Sequence, residues 1–166
     1  MFKRVVQVSF IPIFSLAIAV SGLWAVQDGQ SSAILASGEH EAGGVKVELL
    51  SVKRDSPTVI TVRWRYRNET DEVKQLTRER TGSIDTYRLS LDSYLLDDIK
   101  RIKYPVSRDP DNHPVASRNG ETNKYIFIAG KATINVWAKY IIPETVGKVA
   151  VCIDGVPPFE HIDIAR

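Results

Sequence analysis

The sequence predicts an all-β fold, an antiparallel immunoglobulin-like β-sandwich of seven to eight strands after an N-terminal signal or anchor helix. Three observations predict it. Residues 58–68 (TVITVRWRYRN) alternate without a break, with Ile60, Val62, Trp64 and Tyr66 on one face and Thr61, Arg63, Arg65 and Arg67 on the other. Such alternation, rich in β-branched and aromatic residues, marks a strand with one buried face. Similar short stretches recur along the chain between turn residues, and no segment carries a convincing helical period. That spacing favours a sandwich over a parallel α/β fold.

The elements follow in order. Residues 45–53 form the first strand, with Val45, Val47 and Leu49 inward; Leu50 and Val52 change parity, which predicts a bulge. Asp55, Ser56 and Pro57 turn the chain into the central strand. Trp64 is its natural core centre, because it offers the largest apolar area. The charged run 72–83, broken at Thr81-Gly82, reads as a ragged strand or short helix. Residues 85–96 alternate through Tyr87, Leu89 and Leu91, and Asp97-Asp98 predicts a tight hairpin into a strand over 99–106. Residues 107–124 hold two prolines, a glycine and three asparagines, which predicts a long mobile loop. Residues 125–128 form a short apolar segment. Residues 132–142 form a long strand with Trp137 out of phase with Ile134 and Val136. Two last strands cover 148–154 and 159–164, joined by the turn Gly155-Val156-Pro157-Pro158.

The N-terminus predicts export. Lys3 and Arg4 precede a largely apolar stretch that Ser21 and Gly22 interrupt before Ala25, the expected cleavage site of a signal peptide over 1–25. The rival is an uncleaved anchor, since residues 5–26 span about 33 Å as a helix. No cysteine sits near the exit for a lipid anchor. Residues 26–43, rich in Ser, Gly and Ala, predict a flexible leader, and 44–166 the folded domain. The expected location is periplasmic, cell-surface or secreted, with membrane contact only through a retained N-terminal segment.

Composition narrows the function. With 43% apolar and 25% charged residues the chain is of ordinary globular type. The net charge of +2 lies in Lys3 and Arg4, so the remainder is neutral and lacks the basic footprint of a nucleic-acid binder. The single Cys152 forbids an intrachain disulfide and a multi-cysteine metal cluster; its apolar neighbours predict a buried, inert thiol.

The stretches YLLDDIKRIKYPV, AGKATINVWAKYIIP and KVAVCIDGVPPFEHIDI, all from Tyr94 onward, resemble the secreted immunoglobulin-like domains of bacteria grouped with the DUF4352 and immunoprotective extracellular families. The resemblance covers residues 44–164. It implies a β-sandwich and an exported or surface location, and carries no catalytic residues across.

No constellation predicts catalysis. The three histidines, His40, His113 and His161, have no spacing that forces them together, so no metal site or cofactor is expected. Asp109, Asp111 and Asn112 lack the glycine and distal Glu of a calcium loop. No Gly-x-Ser-x-Gly elbow exists. Asn68-Glu69-Thr70 fits the glycosylation acceptor pattern. Arg63, Arg65 and Arg67 are the most unusual polar feature: three guanidinium groups on one face, about 7 Å apart. They read either as a solvated face balanced by acids of neighbouring strands or as a ladder for anionic groups. The expected function is a non-enzymatic exported module that binds a protein or an anionic envelope glycan. The alternatives are a metal-binding or hydrolytic protein using His113 or His161 with nearby carboxylates, and a structural part of a membrane-anchored envelope assembly.

Overall fold

In the computed structural model, strand β3 (Val59–Asn68) is the hub of the larger sheet. Its neighbours are β2 (Val45–Ser56) and β8 (Thr133–Ile141), both antiparallel, and β1 (Ala36–Glu39) pairs with the outer side of β2. A second antiparallel sheet has the order β10 (Phe159–Asp163), β9 (Lys148–Cys152), β5 (Tyr94–Asp97), β6 (Lys103–Pro105). A two-stranded ribbon joins β4 (Lys74–Gln75) to β7 (Phe127–Ile128). The structure describes residues 33–78, 86–119 and 125–166. The signal or anchor segment 1–25, the Thr81-Gly82 break and the end of the 107–124 loop lie outside them.

The fold is mostly β and antiparallel, as the alternation requires. One apolar core takes Trp64, Tyr66 and Tyr140 from the larger sheet and Leu95, Val149 and Val151 from the second. Trp64 is fully buried, and Trp137, on the other phase, is 37% exposed. The parity change in β2 is a register shift between Leu49 and Ser51. It restores Val52 to the core face and returns Lys53 to the outer one.

Five readings are corrected. The described strands number ten rather than seven to eight, because short pairings lack an alternating signature. The leader assigned to 26–43 contains β1, and His40 at its end is 3% exposed. Residues 88–91 form a helical turn, α1 (Arg88–Leu91), rather than a strand. The N–H groups of Ser90 and Leu91 both donate to the Tyr87 carbonyl at 2.9 Å and close the turn, while the Ser90 and Ser93 hydroxyls donate to the carbonyls of Tyr87 and Ser90. The Asp97-Asp98 turn is not tight, and Ile99 lies in a loop, 90% exposed. Asp97 Oδ1 accepts the N–H groups of Ile99 and Lys100, both at 2.8 Å, and Arg101 takes a left-handed φ of 57°, so β6 starts only at Lys103.

The fifth concerns residues 107–119, which pack along β8 instead of hanging free. Ser107 N and Lys139 N donate to Lys139 O and Val115 O, and Ser117 N donates to Trp137 O. Ala116 bridges Ala138 and is buried. This segment satisfies the outer edge of β8, whose backbone would otherwise seek another partner.

Candidate functional site

The outer face of the larger sheet holds the arginine ladder. Arg65 faces Glu48 across β2, and Arg67 faces Lys46. Glu48 is 1% exposed, and its carboxylate accepts Arg65 Nε–H and lies 3.2 Å from Arg67 Nη2. Glu69 also takes Arg67 Nη2, at 2.8 Å, and Lys46 at 3.5 Å. At the other end Asp55 holds Lys139 at 2.8 Å and accepts the Thr61 hydroxyl at 2.6 Å. Lys139 and the Thr61 hydroxyl together hold the Asp55 carboxyl below its ordinary value. Two of the three arginines are thus balanced by neighbouring acids.

Arg63 is not. It is exposed and, among the described residues, makes no hydrogen bond or ion pair. Its cross-strand partners are Ser51 on β2 and Trp137 on β8. Lys53, diagonal to it through the Lys53–Thr61 pair, is likewise exposed and without an ion pair among the described residues. The strands of this face bear Lys46, Lys53, Arg63, Arg65, Arg67 and Lys139 against Glu39, Glu48 and Asp55, with Glu69 just past the end of β3, an excess of two positive charges. A cationic centre beside a part-exposed indole suits an anionic group on a flat apolar body.

A second region lies on the other sheet. His161 sits at a break in the β9–β10 register between Phe159 and Ile162, with φ of 56°. A bulge there re-aims the side chain. Its Nδ1 donates to Asp98 Oδ2 at 3.0 Å. Cavities of about 640 and 420 Å³ share this pair. The larger runs between the β5–β6 and β8–β9 loops; the smaller is bordered by Tyr94, Cys152, Arg101 and Glu160.

The other candidates separate. His113 is exposed, 3.8 Å from Asp109, in a turn closed on itself by the Asp109 N–H to His113 carbonyl bond and by Asp109 Oδ1 accepting His113 N–H. That turn also consumes Asp109 of the supposed calcium motif. His113 and His161 take different carboxylates, and among the described residues no three His, Cys, Asp or Glu groups gather as for a metal ion. The Asn68 amide is buried, donates to Glu72 and Ala129 carbonyls at 2.6 and 3.0 Å, and accepts Thr70 N–H, so in the fold it is a structural clamp rather than a free glycosylation acceptor. Cys152 is a buried free thiol, pushed up by burial.

Sequence reasoning found the ladder but not the part Trp137 plays in it. The outward phase of Trp137 is visible in the alternation; its position opposite Arg63 follows only from the β3–β8 register. Comparison with protein-family models, with curated proteins and with solved structures finds no match to this chain.

Proposed function

We propose that the protein is an exported, non-enzymatic binding module of immunoglobulin-like sandwich type whose larger sheet presents Arg63, Lys53 and Trp137 to an anionic glycan. The observation that carries this reading is Arg63, without a partner among the described residues, opposite the part-exposed Trp137. An unpaired guanidinium on a face already in positive excess attracts carboxylate or sulfate groups. An exposed indole offers an apolar platform for a sugar ring. Arg65 and Arg67 contribute field rather than free donors, since Glu48 and Glu69 occupy them. Export rests on the basic head and apolar stretch of residues 1–25. The immunoglobulin-like reading is supported by two four-stranded antiparallel sheets that share one core.

Retention on immobilised heparin, used as a generic anionic glycan, tests the proposal. Wild type elutes at a higher salt concentration than Arg63→Gln or Trp137→Ala, and the Arg63→Gln and Lys53→Gln pair together lowers it further. Coelution of all variants with wild type overturns the glycan reading and leaves a protein partner as the better assignment.

A further inference from the structure

The larger cleft on the second sheet is a separate feature, distant in sequence and on other strands from the Arg63 face. Its walls are the β5–β6 loop, with Ile99 and Lys100, and the β8–β9 loop, with Thr145, Val146 and Gly147; His161 stands at its end. We propose that this cleft binds a small apolar molecule bearing one carboxylate.

Three observations carry it. The volume of about 640 Å³ lies in the range of small-molecule sites, and the walls are mainly apolar. Ile99, 90% exposed at the rim, is an apolar side chain held in water by a loop that Asp97 fixes through two backbone N–H bonds. Such a loop is preorganised, so ligand binding does not have to order it.

The polar inventory of the rim then selects the charge. Asp97 is turned inward onto Ile99 and Lys100 N–H, and Asp98 accepts from His161. Lys148 is shared with Asp163 at 3.1 Å. Lys100 has no ion-pair partner among the described residues. One oxygen of each rim carboxylate is therefore engaged within the protein, and the rim cation without an ion pair among the described residues is the Lys100 ammonium, with three donors. An apolar body with a carboxylate head satisfies both the walls and Lys100. The left-handed φ of 56° at His161 places a non-glycine residue in a sparsely populated conformation at the end of this cleft, as strained residues often are at binding sites.

The test uses amide chemical shifts of the 15N-labelled protein, titrated with decanoate below its micelle concentration, with decanol and acetate as controls. Decanoate gives saturable shifts at Ile99, Thr145, Gly147 and His161; decanol binds more weakly and acetate gives no saturable shifts. Lys100→Gln weakens decanoate about 3- to 5-fold, the scale of a solvent-exposed ion pair. Gly147→Phe abolishes the shifts: Gly147 lines the cleft and a Cβ there meets nothing within 4 Å, so the added side chain starts from open space. Ile99→Asp, at an exposed position that folding does not depend on, also weakens decanoate. Absence of saturation overturns the site, as do shifts centred on Trp137. Equal binding of decanol and decanoate overturns the carboxylate assignment.

Discussion

Glu48 and Arg65 stand directly opposite each other in the β2–β3 ladder, the acid fully buried and the guanidinium part exposed, joined through Nε. A buried carboxylate on an otherwise outward phase is held by this pair and by Arg67. Glu48→Gln should therefore destabilise the domain by about 1–3 kcal/mol, the range for charge-assisted hydrogen bonds. It should also raise heparin retention, because Arg65 and Arg67 lose their counter-charge. Urea unfolding and salt elution measured on one variant check both outcomes, and opposite signs are expected.

Trp64 is fully buried at the centre of β3, between Leu49 and Val136. Trp64→Ala should cost about 3–5 kcal/mol, as for large core aromatics. A thermal melt within a degree or two of wild type would show the core to be insensitive to its largest side chain.

His40 gives the domain a pH dependence. Its Nδ1 accepts the Ala42 N–H at 3.1 Å, and its Nε2 comes so close to Gly155, at φ of 76°, that a Cβ there would stand 2.3 Å away. Burial lowers the His40 imidazole below its ordinary 6.5, opposed by Glu41 and Asp154. The unfolded chain then binds the proton more readily than the folded one, so stability is full above about pH 6.5 and falls as pH drops toward the lower folded value. Denaturation midpoints at pH 7.5, 6.5 and 5.5 should decline for wild type. His40→Gln, neutral throughout, should show a flatter profile over that window.

The 107–119 segment should exchange its hydrogens unevenly. The amides of Ser117 and Lys139, bonded between this segment and β8, and that of Val115, bonded to Ser107 O across the segment's own turn, should be protected well beyond that of Asp111 at the loop tip, which makes no backbone bond to a described residue. Equal, fast exchange of all four would return the segment to the status of a free loop.

Much of the fold is legible in the residues because β2, β3 and β8 each bury one face and leave the other more exposed. The bulge in β2 is legible too, as the parity change after Leu49. β1 is not. Its Gly38 is small because the space is taken: a Cβ there would stand 2.7 Å from Val156 Cγ1. Smallness reads as flexibility until the neighbour is known. α1 escapes because Leu89 and Leu91 mimic alternation while the backbone turns on the Tyr87 carbonyl, which accepts from Ser90 and Leu91 N–H. The packing of 107–119 lies in backbone bonds to β8 that no local pattern encodes. The ladder is visible as a spacing, but which arginine stays unpaired depends on the register, since Glu48 falls opposite Arg65 and Ser51 opposite Arg63. The Asp98–His161 pair joins residues 63 positions apart through a break in register, and nothing local announces it.

The lone thiol of Cys152, 6% exposed in the strand that joins β5 to β10, has a practical consequence. A thiol reagent in the buffer meets no other cysteine, and it meets this one, nearly buried in the wall of the smaller cavity, slowly until β9 is uncovered. The alkylation rate of the unmodified protein is thus a clock for opening of the second sheet, readable by mass alone. A ligand that grips the sheet, or a substitution that loosens it, would slow or speed that clock with no label introduced.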